Sequence, residues 1–375
     1  MRKKITSIIL AFSISTLFML MSCVKETPDA EIKLGAILPL SGDAASYGEA
    51  LKTGMDLALD EINAEGIHGK KLNIIYEDSQ GSPKNAIASF NKLAFTDKVQ
   101  MIIGDMFSAS TLAIAPIAEK QKVVLLSPTA SAVELTRSGD YIFRIYPSDL
   151  YDGEYLASFS KNGLKAKTAS IIYLQVTSIS SISQIYKKRF EELGGNVLSL
   201  DSYKEGDTDF RSQLLKAKKV DADVIFIPGY LREMAMLLKQ AKELGIKKKF
   251  ISISTFFDPK ILELAGNAAN GVIFSAPVFD PDSTSSEIKH FVSLFESKQK
   301  YKPDILAGYG YDVLNIAARA LKQTPSIKGE SIKTSLYNIK YFPGVTGNST
   351  FDANGDVIKE LRMMTVSDGV FKAYE

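Results

Sequence analysis

Short apolar runs alternate with helix-patterned segments along most of the chain. Val99–Ile103 and Val123–Leu126 are apolar runs closed by turn residues, which is typical of buried parallel strands. Between them, Thr111–Gln121 has apolar residues at helical spacing, and Ser108–Ser110 supplies hydroxyl groups that are common at helix starts. This stretch therefore predicts a strand, a helix and a second strand, in that order.

The same order occurs near the start of the chain and again in its second half. Ile32–Leu38, Glu49–Glu65 and Lys71–Asp78 predict strand, helix and strand. The second half carries the predicted strands Ala169–Leu174, Asp223–Ile227 and Phe250–Ile253 and the predicted helices Ser183–Leu193, Phe210–Lys218 and Leu231–Leu244. Strands that alternate with helices predict an α/β protein with parallel sheets, here in two series.

Two loops rich in hydroxyl groups leave the carboxyl ends of neighbouring predicted strands. They are Phe107–Thr111 and Ser127–Ser131. Parallel strands end at one edge of an open sheet, which is where ligands bind in this architecture. A helix start flanked by Ser108, Thr129 and Ser131 can hold a carboxylate through N–H and O–H donors alone. Ordinary helix capping and turn formation explain either loop taken by itself, and that alternative stays open.

Residues 1–22 have the pattern of an export signal. Arg2, Lys3 and Lys4 precede a mostly apolar stretch that ends at a small residue, Ser22. The stretch is short for a membrane span and is interrupted by hydroxyl residues, so a retained membrane helix is only the alternative.

Cys23 is the only cysteine of the chain. Leu20–Cys23 resembles the lipobox of bacterial lipoproteins, in which the cysteine is acylated and becomes the first mature residue. A buried core thiol is the alternative for Cys23. We expect cleavage before Cys23, a lipid anchor on that residue and a polar tether over residues 23–31.

Composition and charge disfavour several classes of protein. Loss of residues 1–22 removes three positive charges from a formal net charge of +2 and leaves −1, so no basic surface for nucleic acid is expected. The remaining 353 of 375 residues predict about two domains. With two histidines and one cysteine, the sequence suggests neither a metal cluster nor a nucleophile–base pair. The loop at 39–48 lacks the glycine spacing of dinucleotide-binding proteins, and no cofactor is expected.

Longer stretches carry a resemblance to a known family. They include KLGAILPLSGDAASYGEALKTGMDLALDEINAEGIHGKKLNIIYEDSQGSP, IIGDMFSASTLAIAPIAEKQKVVLLSPTASAVELT, YIFRIYPSDLYDG, PGYLREMAMLLKQAKELG, GYGYDVLNIAARAL and FDANGD. Together they resemble the periplasmic leucine/isoleucine/valine-binding protein family, the branched-chain amino-acid receptors of ABC importers. The resemblance covers essentially the whole chain after the tether.

The resemblance implies a type I periplasmic-binding fold. That fold is α/β, with two Rossmann-like three-layer (αβα) lobes joined by three crossover segments. We expect lobe 1 to comprise residues 32–147 with 278–345, and lobe 2 to comprise 148–277 with 346–375. The crossovers are expected at Tyr146–Ser148, at Ala276–Pro277 and at Phe342–Asn348.

The resemblance also implies which residues contact the ligand. Ser108 matches the serine that binds the ligand carboxylate, and Thr129 and Ser131 match the next loop, which contacts the amino-acid head group. In chain order, the implied ligand contacts are Tyr47, Ser108, Thr129, Ala130, Ser131, Tyr230 and Ser254. Without the resemblance, a tyrosine at a strand end is equally well an amphipathic residue at the rim of the fold.

Two positions depart from the family pattern. Ser254 stands where the family has the acidic residue that pairs with the ligand ammonium, and Val176–Ser181 replaces a tyrosine-glycine loop. A buried ammonium without a carboxylate partner costs several kcal/mol. An α-amino acid, an aliphatic or aromatic carboxylate and an amide therefore all remain candidate ligands.

We expect from this sequence a lipid-anchored, periplasmic solute-binding protein that works with an ABC permease in the inner membrane and closes on a small amino acid or related carboxylate. A ligand-sensing module of a membrane receptor is the alternative, because the same fold serves both roles. An α/β enzyme is a third possibility, which the absence of a phosphate loop and of a G-x-S-x-G elbow argues against.

Overall fold

The computed structural model describes residues 31–375, which fold into two lobes. The expected signal peptide, Cys23 and the tether up to residue 30 lie outside the described residues. Within residues 31–375, no helix combines the length and apolar character needed to cross a membrane.

The first lobe is built on a five-stranded parallel sheet with the strand order β2-β1-β3-β4-β5. Its strands are β1 (Glu31–Leu38), β2 (Lys71–Asp78), β3 (Met101–Gly104), β4 (Val124–Ser127) and β5 (Ile142–Arg144). The helices between these strands are α1 (Ala45–Glu65), α2 (Pro83–Asn91) and α3 (Ser108–Gln121). Two apolar cores, one on each face of the sheet, make this lobe three layers thick.

The second lobe is built on a seven-stranded sheet with the order β14-β13-β10-β9-β8-β6-β7. Its strands are β6 (Thr168–Leu174), β7 (Asn196–Tyr203), β8 (Val224–Phe226), β9 (Lys249–Ser252), β10 (Ile273–Pro277), β13 (Leu361–Ser367) and β14 (Val370–Ala373). Its helices are α4 (Asp149–Ser158), α5 (Thr177–Glu192), α6 (Arg211–Val220), α7 (Leu231–Glu243) and α8 (Pro259–Ala265). The strands from β6 to β10 are parallel, and β13 and β14 continue the sheet with antiparallel pairing.

Three further helices return the chain to the first lobe. They are α9 (Ser286–Gln299), α10 (Ile305–Gln323) and α11 (Gly329–Tyr337). A short hairpin of β11 (Thr350–Phe351) and β12 (Val357–Ile358) follows them. Helix α10 packs against α1, and both contribute to the first-lobe core.

The chain crosses between the lobes three times. The first crossing lies between β5 and α4, and the second follows β10. The third lies between β12 and β13, later than the expected segment 342–348. The reason is that Phe351 and Val357 are buried in the first-lobe core, which holds the hairpin on that side.

Several helices begin earlier than the polar residues at their starts predict. Helix α3 begins at Ser108, with Phe107 as its N-cap residue and no capping bond from a side chain. The serines expected to precede the helix therefore form its first turn. Polar residues such as these serines often mark a helix boundary in a sequence. Here the Ser108 backbone is helical, and its side chain accepts hydrogen bonds from the neighbouring loop at Ser131 and Ala132.

Candidate functional site

The carboxyl ends of the two sheets face each other across a cleft that contains two adjoining cavities. The outer cavity, of about 810 Å³, is lined by Tyr47, Met106, Phe107, Glu205, Gly206, Tyr230, Leu231, Arg232, Glu233, Ser254, Thr255, Phe257, Asp258 and Leu306. The inner cavity, of about 220 Å³, is lined by Thr129, Ser131, Tyr146, Asp149, Asp152, Ser178, Ile179, Ile182, Tyr230, Ile253, Ser254 and Thr255. Three residues line both cavities, so the cleft is one site with two compartments.

The two hydroxyl-rich loops of the first lobe are bonded to each other. Thr129 Oγ1 donates to the carbonyl oxygen of Met106 at 2.9 Å, and Ser127 Oγ donates to the carbonyl oxygen of Asp105 at 2.7 Å. These bonds hold the loop after β4 against the loop after β3. They occupy the hydrogen of Thr129 but leave its oxygen free to accept.

Ser108 links the same loops from the start of α3. Its Oγ accepts hydrogen bonds from the backbone N–H groups of Ser131 and Ala132, both at 3.2 Å. Both bonds use lone pairs of the oxygen and do not consume the hydroxyl hydrogen. Ser108 can therefore still donate to an anion while it positions Ser131.

The structure brings most of the predicted contact residues to the cleft. Tyr47 and Tyr230 are exposed by 51% and 40% and line the outer cavity, while Thr129, Ser131 and Ser254 line the inner one. Two others lie behind the cleft surface. Ser108 is half-buried and contacts Ser131, and the Ala130 side chain is fully buried. Whether each residue binds ligand stays a prediction.

Tyr146 and Ser254 connect the two lobes at the inner cavity. Their hydroxyl oxygens lie 2.6 Å apart, although the residues are 108 positions apart in the chain. The ring of Tyr146 packs against Tyr309 of α10, with the ring centroids at 5.4 Å. Burial raises the pKa of the Tyr146 hydroxyl well above its ordinary value, so the group stays neutral. Ser254 is therefore engaged with the first crossover of the chain.

Two carboxylates line the inner cavity and were not predicted as site residues. Asp149 and Asp152 lie in the first turn of α4, where Ser148 caps the helix by accepting from Leu150 N at 3.3 Å. Asp149 N also donates to Ser131 O at 2.9 Å, which ties the start of α4 to the first-lobe loop. The only sequence signal for this pair is two acidic residues at i, i+3 after Ser148, in the stretch SDLYD.

The surroundings of these carboxylates disfavour their charged forms. Burial raises the pKa of Asp149 to about 7, and the neighbouring Asp152 charge adds to the rise. Burial raises the pKa of Asp152 to about 6. Asp149 Oδ2 and Asp152 Oδ1 are buried without a hydrogen-bond partner in the part of the chain that the structure describes.

Arg144 is a buried basic residue whose charge acts on Asp149, but its hydrogen bonds go to other groups. Arg144 Nε lies 2.7 Å from Asp356 Oδ1, and its other nitrogens donate to Ala132 O and Thr136 Oγ1, each at 2.7 Å. These bonds hold the loop that carries Ser131 in place. Arg144 thus supports the cleft from behind and does not line either cavity.

The described residues contain no candidate metal site. Between residues 31 and 375, no group of three or more His, Cys, Asp or Glu side chains is arranged to hold a metal ion. His68 is exposed and contacts the carbonyl oxygen of Leu321 at 3.0 Å, and His290 pairs with Glu61 at 2.6 Å. Both histidines therefore serve surface contacts of the first lobe.

Comparisons with known proteins cover nearly all of the described chain. The periplasmic binding protein family matches residues 31–370. The chain is 29% identical over 329 residues to the leucine-, isoleucine-, valine-, threonine-, and alanine-binding protein of Pseudomonas aeruginosa, which covers 87% of each chain. A leucine-binding protein from Thermotoga maritima superposes with a TM-score of 0.79 at 27% identity, covering 92% of this chain and 98% of that one. A branched-chain amino acid transporter substrate-binding protein from Streptococcus pneumoniae, in complex with isoleucine, superposes with a TM-score of 0.78 at 29% identity and the same coverage.

Proposed function

Because the chain belongs to the periplasmic binding protein family, we propose that it captures a small amino acid or a related carboxylate-bearing ligand between its lobes for an ABC importer. The observation that carries this proposal is the cleft itself, where hydroxyl-bearing loops of one lobe meet Tyr230 and Ser254 of the other. The names of the relatives, which refer to leucine, isoleucine, valine, threonine and alanine, support an amino acid as the ligand.

The first lobe would hold the carboxylate of the ligand. Ser108 keeps a hydroxyl hydrogen to donate, and Ser131 lies beside it at the edge of the inner cavity. The start of α3 adds unpaired backbone N–H groups and the positive end of the helix dipole. This arrangement stabilises an anion without a basic side chain.

The second lobe would then close over the ligand. Three crossover segments join the lobes, and rotation about such segments is a common hinge motion. Tyr230 lines both compartments of the cleft and would cover the ligand from the second lobe. Tyr47 would cover it from the first lobe. Closure would create the surface that an ABC permease recognises.

Calorimetric titration of the purified protein tests this function. The panel is leucine, isoleucine, valine, threonine, alanine and benzoate, and we expect at least one amino acid to bind. Each hydrogen bond to a charged carboxylate contributes about 1–3 kcal/mol. The double variant Ser108→Ala and Ser131→Ala should therefore weaken binding by tenfold or more.

Ser297→Ala is the matched control for that titration, because Ser297 is exposed on α9 and donates to Leu294 O at 2.7 Å, away from the cleft. It should leave the affinity unchanged. Equal affinity in the double variant and the wild type would remove Ser108 and Ser131 from the site.

We also propose that a lipid on Cys23 anchors the protein to the periplasmic side of a membrane. The basic, apolar and small-residue pattern before Cys23 supports this proposal. Cell fractionation should find the wild-type protein with membranes and the Cys23→Ala variant in the soluble fraction. An unchanged distribution would count against the anchor.

A further inference from the structure

The inner cavity contains two carboxylates, each with one unpartnered oxygen atom, although the Ser131 hydroxyl lies beside Asp149 and the Ser275 hydroxyl lies beside Asp152. Asp152 is only 8% exposed, and its Oδ1 atom has no hydrogen-bond partner among residues 31–375. Asp149 Oδ2, one helical turn earlier, is also buried and has no hydrogen-bond partner among residues 31–375. Buried polar atoms are nearly always paired, since an unpaired one costs free energy. An unpaired carboxylate oxygen that lines a cavity indicates that a ligand supplies the partner.

The charge balance of the inner cavity favours a cation. No Lys or Arg side chain of the described chain lines it, whereas two carboxylates do. The start of α4 contributes about half a positive charge, which is less than the negative charge that the pair carries once a bound cation favours its ionised form. The pair therefore favours a cation over a second anion.

We infer that Asp149 and Asp152 bind a positively charged nitrogen of the ligand, and that the protein selects ligands with such a group over plain carboxylates. This inference rests on the proposed function, because it takes the cleft as the ligand site. Ser254, at the position where an acidic residue was expected, is bonded to Tyr146 instead. The partner for the ammonium is supplied by α4 and not by the loop after β9.

The location of the pair suits an α-amino acid. Asp149 is bonded through its backbone to Ser131, so the cation-binding groups adjoin the loop proposed to bind the carboxylate. An α-ammonium and an α-carboxylate are separated by a single carbon atom and need adjoining partners of this kind. The side chain would then lie toward the outer cavity, where Leu231 and Phe257 offer apolar contact.

The test compares three probes with a shared carbon skeleton by calorimetric titration of the full chain. Leucine carries both charged groups, 4-methylpentanoate lacks the ammonium, and 3-methylbutylamine lacks the carboxylate. We expect leucine to bind at least 100-fold more tightly than 4-methylpentanoate. Asp152→Asn should weaken leucine binding at least tenfold and reduce the preference over 4-methylpentanoate. Valine, isoleucine, threonine and alanine, each with its deamino analogue, extend the panel.

Asp223→Asn is the matched control. Asp223 precedes β8, lines neither cavity, and accepts hydrogen bonds from Lys167 N at 2.7 Å and Thr168 N at 2.9 Å, which the amide oxygen of asparagine can also accept. We expect its leucine affinity to stay within threefold of the wild type. Because Asp152→Asn removes a buried charge, that variant should also melt no lower than the wild type at pH 8, which shows that it folds.

Proton release gives a second readout. A bound cation favours the ionised carboxylates, and burial raises the pKa of Asp149 and Asp152 toward 6–7, so binding at pH 6 should release protons. Titrations in buffers of different ionisation enthalpy measure this release, and Asp152→Asn should reduce it. The other titratable or charged groups that face the pair are Glu134, Arg144, Tyr146, Tyr151, Tyr155, Tyr230 and Tyr309. Burial raises the pKa of each of these tyrosines, so none of them titrates near pH 6.

Different failures separate this inference from the proposed function. Equal binding of leucine and 4-methylpentanoate would overturn the inference and leave a carboxylate-binding protein. Leucine affinity in Asp152→Asn equal to that of the wild type and of Asp223→Asn would also overturn it, with the amino-acid function intact. If none of the probes binds, the proposed function fails and the inference fails with it.

Discussion

Replacement of Asp312 by alanine is expected to lower the free energy of unfolding by about 3–5 kcal/mol, because it breaks a buried ion pair and leaves the Lys359 ammonium without an anionic partner. Asp312 lies on α10 and is 1% exposed. Asp312 Oδ2 lies 3.8 Å from Nζ of Lys359, and Lys359 is 2% exposed. Asp312 also accepts from the backbone N–H groups of Val345 and Thr346, both at 2.8 Å. Alanine would leave both of these donors unpaired.

The pair also ties the crossover segments to the first lobe. Lys359 lies on the third crossover and donates to Thr346 Oγ1 at 2.6 Å and to Ile145 O, next to the first crossover, at 3.4 Å. The ring of Tyr309 lies 5.0 Å from the Lys359 nitrogen. Loss of Asp312 should therefore loosen the hinge region as well as the core.

The pH dependence of the Asp312→Ala defect identifies its cause. Burial lowers the pKa of Lys359 to about 8, and the charge of Asp312 opposes that decrease. Without Asp312 the pKa of Lys359 in the folded state falls further below its ordinary value of about 10.5. The resulting loss of stability is complete at pH values below this folded-state pKa, and it disappears as the pH rises above the pKa of Lys359 in the unfolded chain. Urea unfolding should show a larger defect at pH 7 than at pH 10.

Asp282→Ala is the control for this prediction, since the Asp282–Lys302 pair is exposed and should not change stability measurably. The double variant Asp312→Leu with Lys359→Met should lose less stability than Asp312→Ala alone, because it leaves no buried charge. A loss below about 1 kcal/mol in Asp312→Ala would contradict the assignment of a buried pair.

Gly310→Ala should lower the free energy of unfolding by about 3 kcal/mol, through overpacking of two helices. Gly310 on α10 and Gly54 on α1 lie where the two helices approach most closely. A Cβ atom on Gly310 would stand 2.0 Å from Leu51 O, and one on Gly54 would stand 1.9 Å from Ala307 O. Because these neighbours are backbone atoms, the helices would have to separate and the first-lobe core would open.

The sign of the effect makes this prediction informative. In an unhindered helix interior, glycine to alanine stabilises by about 1 kcal/mol, so a loss demonstrates the close approach. Gly308→Ala on the same helix is the control, since its nearest neighbour is the side-chain methyl of Thr346 at 3.1 Å. Its unfolding free energy should change by about 1 kcal/mol or less. Thermal and urea unfolding that place Gly310→Ala at wild-type stability would refute the helix contact.

The regular elements were largely predictable from local pattern. Strand β2 has the predicted bounds, and β1, β3, β4 and β6 differ from theirs by one or two residues. Strands of this kind are easy to recognise because parallel strands are buried on both faces and so carry continuous apolar runs. The α/β, two-lobed fold and the family resemblance are confirmed.

The candidate site was predictable only as a location. The sequence indicated that the loops after β3 and β4 would meet, and Ser108 and Ser131 are in contact. It did not indicate that the Thr129 hydroxyl donates its hydrogen to Met106 O, because that bond depends on how the loop after β4 is positioned against the loop after β3. The ligand-binding roles of these residues remain predictions that the titrations address.

The sequence by itself determined the strand and helix order, the division into two α/β series and the edge of the sheet at which the hydroxyl groups gather, because each depends on residues close together in the chain. The tertiary structure decided which distant residues meet, including the contact of Tyr146 with Ser254, the burial of Lys359 against Asp312 and the placement of Asp152 in the inner cavity. The spacing of apolar residues along the chain indicates which face of a helix or strand is buried, but not which residues it is buried against. The partner of a buried group depends on how elements that are distant in the chain pack together.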